Sequence, residues 1–147
     1  MTVKIAGAND IDNLFELNRL FDNETTKEEM AKSIRQNDHE IICIAYVDNV
    51  AAGFCTGLII GSICYQNRRL DIEALYVREE YRNKGTGKAL INFLEKEALS
   101  RNIKHFHIST NEKNIVAQTV YGKLGYKVTG EILLDKTIDT IGAEKWN

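Results

Sequence analysis

Apolar positions along this chain alternate between a helical and a strand period. Ile11, Leu14, Phe15 and Leu17 recur at helical intervals and predict a helix over Asp10–Phe21, after a short strand at Val3–Ala6. Thr26 and Glu29 have the spacing of a capping box, so a second helix is predicted from Thr26, with Met30 and Ile34 on its apolar side. Two β-rich runs, Ile41–Val47 and Ala51–Ile60, flank the hairpin-type pair Asp48-Asn49, and Ile63–Tyr65 with Leu70–Val77 predicts the next strand or hairpin arm. The helical period returns over Gly87–Leu99, where Leu90, Leu94 and Ala98 stand four apart, and Lys104–Ser109 alternates as a strand. Ala117, Val120, Tyr121 and Leu124 mark an amphipathic helix over Asn114–Leu124, and Gly125 fits the glycine just past a helix end. Tyr126–Leu134 and roughly Asp139–Trp146 predict closing strands. This mixture implies an α+β fold in three layers (α/β/α): a mixed, largely antiparallel sheet of about six or seven strands with helices on both faces.

Composition narrows the function classes. The 147 residues suit one domain spanning 1–147, and the absence of proline leaves no proline-rich linker to divide it. Cys43, Cys55 and Cys64 are odd in number and lack CxxC spacing, which argues against a disulfide framework and against a metal site. The N-terminus has no apolar leader core, so a reducing cytoplasm is expected. The longest apolar stretch, Ala51–Gly61, falls far short of the ~20 residues a membrane helix needs. A formal net charge of −2 gives no reason to expect nucleic acid as a partner. The charge is uneven, however. Asn9–Glu29 holds seven acidic and two basic residues, whereas Arg78–Lys104 holds seven basic and four acidic ones.

The richest chemistry lies in Leu75–Leu90, LYVREEYRNKGTGKAL. A strand ends near Val77, and a loop with Arg82, Asn83, Lys84, Gly85, Thr86 and Gly87 leads into a helix. Glycines let backbone approach a ligand closely, and the free N–H groups of a first helical turn attract phosphate. Arg82, Lys84 and Lys88 add positive charge at the same place. A P-loop would need GxxxxGK[ST], which is absent, and a dinucleotide fingerprint would need glycine where Leu90 stands.

The run V-x-x-x-x-R-x-x-G-x-G at Val77–Gly87 resembles the coenzyme A signature of the GNAT acetyltransferase superfamily. Downstream, Asn114, Ala117, Tyr121, Gly125 and Tyr126 are similar to a second pattern of that family, N-x-x-A-x-x-x-Y-x-x-x-G-[FY]. The resemblance implies that acetyl-coenzyme A is the co-substrate. Backbone at Leu75, Tyr76 and Val77 would pair with its pantetheine arm, and amides from Asn83 to Lys88 would surround its diphosphate. Asn114 and Ala117 would lie beside the pantetheine, with Tyr121 near the sulfur.

Acetyl transfer to an amine needs a base for the ammonium, polarisation of the carbonyl, and an acid for the departing thiolate. Tyr121 is the candidate acid, since a phenol and an alkyl thiol have comparable acidity. An amide of Leu75–Val77 is the candidate polariser. Strand parity puts Asp71, Glu73, Leu75 and Val77 on one face unless a bulge intervenes, which makes Glu73 the first candidate base and Asp71 the second. Some relatives carry a glutamate at the end of the next strand, where Ser109 stands here. His107, on the same strand face as Ser109, is a third candidate. Buried packing is the expected role of Cys55 and Cys64, so transfer is expected to be direct, in a ternary complex. The acidic Asn9–Glu29 region points to a small cationic amine as acceptor. The alternatives are a protein N-terminus or lysine as acceptor, or a non-catalytic acyl-coenzyme A sensor. Edge strands near the C-terminus suggest a homodimer.

Overall fold

The computed structural model describes residues 1–138. Five strands form one sheet in the order of the chain: β1 (Thr2–Ile5), β2 (Glu40–Val47), β3 (Val50–Ser62), β4 (Tyr65–Val77) and β5 (His105–Ile108). The first three pairings are antiparallel and β4 with β5 is parallel. Helices α1 (Ile11–Phe21) and α2 (Lys27–Gln36) connect β1 to β2, α3 (Thr86–Ser100) connects β4 to β5, and α4 (Ile115–Lys123) follows β5.

The layering follows from β2, an apolar run buried along both faces, as sheet strands covered on each side require. Its odd positions Ile41, Cys43 and Ala45 pack with Leu70, Ile72, Leu90, Ile91 and Leu94 under α3. Its even positions Ile42 and Ile44 pack with Leu14, Leu17 and Phe54 under α1, and Met30 and Ile34 of α2 lie against that cluster. Local chemistry sets the boundaries as expected. Thr26 and Glu29 close a reciprocal capping box at the start of α2. Asp48 and Asn49 both take positive φ, the requirement of a tight hairpin.

Three expectations change. The strand expected from Ile63–Tyr65 with Leu70–Val77 starts later: Ile63 and Cys64 are the turn, and β4 runs unbroken from Tyr65 to Val77. Tyr126–Leu134 carries no strand pairing, so the sheet has five strands among the described residues. Its apolar pattern supplies β propensity, but propensity without ladder hydrogen bonds to a neighbour does not make a strand. The expected strand at Asp139–Trp146 lies outside the described residues. Lastly, α4 buries none of its side chains fully; it meets the core through Tyr121 and Leu124, while Val120 stays 42% exposed. No helix among the described residues is long and apolar enough to cross a membrane.

Candidate active site

The site is organised by a fork in the sheet. β4 and β5 pair from Arg69↔His105 to Ile72↔Ile108 and then part, leaving the far edge of β4 from Glu73 to Val77 without a neighbouring strand among the described residues. On its other side β4 keeps pairing with β3, but the register shifts between Thr56↔Ala74 and Gly57↔Ile72. Glu73 is the extra residue of that bulge. The bulge overturns the parity expectation. Leu70, Ile72, Leu75 and Val77 all join the core under α3, whereas Ala74 and Tyr76 join the one under α1. Asp71, between Leu70 and Ile72, therefore faces the α1 side, opposite to Leu75 and Val77.

Beyond the fork lies the glycine turn. Asn83 (φ 58°) and Gly85 (φ 84°) both adopt the left-handed conformation, which turns the chain sharply into α3. Thr86 is buried and anchors the turn, its hydroxyl donating to the Tyr81 carbonyl at 3.1 Å. Arg82 Nε donates to the Val77 carbonyl (2.9 Å) and Lys84 Nζ to the Glu80 carbonyl (2.8 Å), so both cations brace the loop. The amides of the first turn of α3 lack helical acceptors and face outward beside this positive charge. A Cβ built on Gly85 would meet nothing within 4 Å, and one on Gly87 would touch only Val77 Cγ2 (3.8 Å) and Leu75 Cδ2 (3.9 Å). The helix start is thus open around Gly85 and packs against the Leu75 and Val77 side chains of β4 at Gly87. An anionic head on the turn and an amide-bearing arm along Leu75–Val77 fit that shape, as coenzyme A requires.

Tyr121 reaches into the same region from α4. Its ring packs against the core that holds Leu75 and Val77 and lies 6.2 Å from the Tyr126 ring. Burial, and then the nearby Cys55, push the phenol above its ordinary value, so it keeps its proton through the neutral range. Its hydroxyl has no protein hydrogen-bond partner among the described residues. Tyr126 donates to Glu95 Oε1 at 2.5 Å and ties the exit of α4 to α3. Asn114 caps α4, its side-chain oxygen accepting from the Ala117 amide at 3.1 Å. That contact occupies one end of the Asn114 side chain and orients the helix that carries Tyr121.

On the α1 side of the fork, carboxylates come together from separate strands. Asp71 accepts from Arg69 Nε (2.7 Å) and Nη2 (3.2 Å), and its Oδ1 lies 3.7 Å from His107 Nδ1. Exposed Glu73 shares this surface with Glu40, at the start of β2. Burial raises the Glu40 carboxyl above its ordinary value; the Thr56 hydroxyl and His39 oppose the shift, and the charge of Glu73 adds to it. Glu40 escaped the sequence reading. Its one signal was an acid opening the apolar run Ile41–Val47. Phe21, Phe54 and Tyr76 form an aromatic wall on this side, with centroids 5.8 to 6.4 Å apart.

The acids of Asn9–Glu29 are mostly engaged elsewhere. Asp10 is buried against Lys4, the Gly7 amide and the Tyr46 hydroxyl. Asp12 pairs with Lys27, Glu16 with Arg78, and Glu29 closes its cap. A groove of about 600 Å³ between the start of α1 and α2 holds none of the expected site residues and mixes both signs of charge (Asp12, Lys27, Glu28, Arg35). The glycine turn and Tyr121 lie on the α3 side of the fork, and the carboxylates lie on its α1 side. Cys43 and Cys55 are buried opposite each other, and the adjoining Cys43, followed by burial, keeps the Cys55 thiol well above its ordinary value. That makes the Cys55 thiolate, and with it an acetyl-cysteine intermediate at this position, unfavourable.

The chain is similar to known acetyltransferases in sequence and in fold. The chain is 31% identical over 104 residues to an acetyltransferase of Yersinia pestis (strain Pestoides F), covering 69% of this chain and 68% of the relative. It is 26% identical over 105 residues to the aminoglycoside N(6')-acetyltransferase type 1 of Salmonella typhimurium, covering 69% and 72% of the two chains. The fold superimposes on AAC(6')-Iy, solved with a coenzyme A bisubstrate analogue, with a TM-score of 0.82 over 94% of this chain and 98% of that one, at 19% identity. The profile of the acetyltransferase (GNAT) family spans residues 11–126, from α1 through Tyr126. The chain belongs to the GNAT acetyltransferase family, enzymes that move an acetyl group from acetyl-coenzyme A to an amine.

Proposed function

We propose that this enzyme acetylates a primary amine of a small cationic molecule by direct transfer in a ternary complex, as one catalytic domain working in the cytoplasm. The observation that carries the reading is the position of Glu40, Asp71 and Glu73 on one open face of the fork, across β4 from the expected donor site. Carboxylates around an aromatic wall attract an ammonium group. The aminoglycoside N-acetyltransferase similar to this chain supports a small-molecule acceptor. Thiol release from acetyl-coenzyme A, measured over a panel of polyamines, amino sugars, amino acids and a free peptide N-terminus, tests it. Turnover with the small cations is expected. Turnover with the peptide alone would shift the acceptor to protein, and none at all would reduce the chain to a sensor.

In this reading the amides of Asn83–Lys88 hold the diphosphate, and the free edge at Leu75–Val77, with Asn114 and Ala117 opposite, holds the pantetheine arm. The amide edge polarises the thioester carbonyl. Tyr121 gives its proton to the departing sulfur. Glu73 takes a proton from the acceptor ammonium through water, with Asp71 the second candidate for that task. Glu73→Gln should lower kcat/KM at neutral pH by roughly 10²-fold, the low end for a positioned base. Activity should recover in part at alkaline pH, where more amine is already free. Asp71→Asn should cost less, and a reversed order would move the role to Asp71.

The assembly we propose is a homodimer. Val128, Ile132, Leu133 and Leu134 are each at least 84% exposed, and β5 pairs with β4 alone among the described residues. An apolar extended segment and a free sheet edge favour association of copies. Light scattering should give twice the chain mass, and a monomer across a wide concentration range would reject it.

A further inference from the structure

The proton balance of this reaction leaves one task unassigned. An ammonium and a thioester become an amide, a thiol and one free proton. The nitrogen therefore loses two protons: one before attack, which frees its lone pair, and one after the N–C bond has formed. Glu73 accounts for the first, and Tyr121 supplies the sulfur. The second needs an acceptor on the same face of the fork.

We propose that His107 accepts this second proton, with Asp71 as the positioning residue that holds its ring and balances its charge. This rests on the acetyltransferase reading of the fork. Asp71 and His107 are register partners, one pair before the strands part. Their side chains share the α1 side of the sheet, His107 28% and Asp71 24% exposed, so the ring is supported yet open to a bound amine. Arg69 grips both oxygens of Asp71 and fixes the carboxylate. Toward His107 it is well placed. At 3.7 Å from Nδ1 it is at ion-pair distance, and it gains attraction once the ring is protonated. The other ring nitrogen, Nε2, has no partner among the described residues. The groups facing the ring are Asp71 and Arg69 from β4 and His105 from β5, whose ring packs edge-on at 4.7 Å; Glu131 lies near Arg69. In the step, the N–H bond of the newly acylated nitrogen breaks and its electron pair returns to nitrogen as the amide forms. The proton passes to Nε2, and the imidazolium later yields it to water, which restores the neutral ring, while Tyr121 regains the proton it gave to the sulfur from solvent, so that one proton is released overall.

The test is the pH dependence of kcat in the full chain with an amine it accepts. His107→Gln should lower kcat by about 10²-fold, leave the KM for acetyl-coenzyme A unchanged, and abolish an inflection in the range where histidines titrate, roughly pH 5–8. Asp71→Asn should keep that inflection and move it to lower pH, since the imidazolium loses its carboxylate. Added imidazole should restore part of the activity of His107→Ala. Thermal stabilisation by coenzyme A would show that each variant is folded. A His107→Gln profile that superimposes on wild type overturns the proposal, as does a change confined to the acceptor KM, or a failure of rescue in folded His107→Ala. An inactive wild-type chain would sink the acetyltransferase reading first. An active wild type with indifferent His107 variants sinks only this proposal.

Discussion

Tyr121→Phe is expected to lower kcat by roughly 10²- to 10⁴-fold, the range for loss of a positioned general acid, with little change in the KM for acetyl-coenzyme A. The reasoning separates packing from chemistry. The ring supports the core beside Leu75 and Val77, and phenylalanine keeps that contact. The hydroxyl has no protein partner among the described residues, so its removal leaves no buried group unsatisfied. Burial pushes the phenol up, which keeps it protonated while the sulfur departs. A thiolate develops only late in the reaction, so the loss should appear in kcat rather than in donor binding. Steady-state kinetics with thiol detection is the measurement. Activity within a few-fold of wild type would leave Tyr121 a packing residue.

Gly87→Leu should separate fold from cofactor in the other direction. The Cβ meets Val77 and Leu75 only at ordinary contact distances, and leucine is a better helix former than glycine by somewhat under ~1 kcal/mol. The variant should therefore melt at or above the wild-type temperature. The longer side chain would extend past this contact with Leu75 and Val77 and cover the first-turn amides of α3. Loss of two charge-assisted hydrogen bonds to the diphosphate, at about 1.5–3 kcal/mol each, would weaken coenzyme A binding by roughly 10²- to 10⁴-fold. Calorimetric titration measures the affinity. Unchanged binding in the folded variant would show that the diphosphate does not lie against this turn. Gly85 would be a poorer choice, because its φ of 84° strains any side chain whether or not a ligand is present.

Local spacing alone determined a large share of this protein. The helices, the Asp48-Asn49 hairpin and the Thr26–Glu29 cap depend on neighbours within a few residues, so they are written in the sequence. The glycine turn is legible for the same reason: positive φ at Gly85 and the start of α3 are both local. Long-range pairing decided the rest. The bulge at Glu73 exists because β3 and β4 fall out of register there, and it moved Asp71 to the face opposite Leu75, against simple alternation. Which acids meet was likewise decided by strand order. Asp10, Asp12, Glu16 and Glu29 of the Asn9–Glu29 cluster are engaged by caps and ion pairs, whereas Glu40, from a distant strand, shares one face of the sheet with Asp71 and Glu73. The approach of His107 to Asp71 depends on the parallel register of β4 with β5, set by the packing of α3 between them in the chain. Alternation can say which side of a strand a residue takes. Only the assembled sheet says what stands across from it.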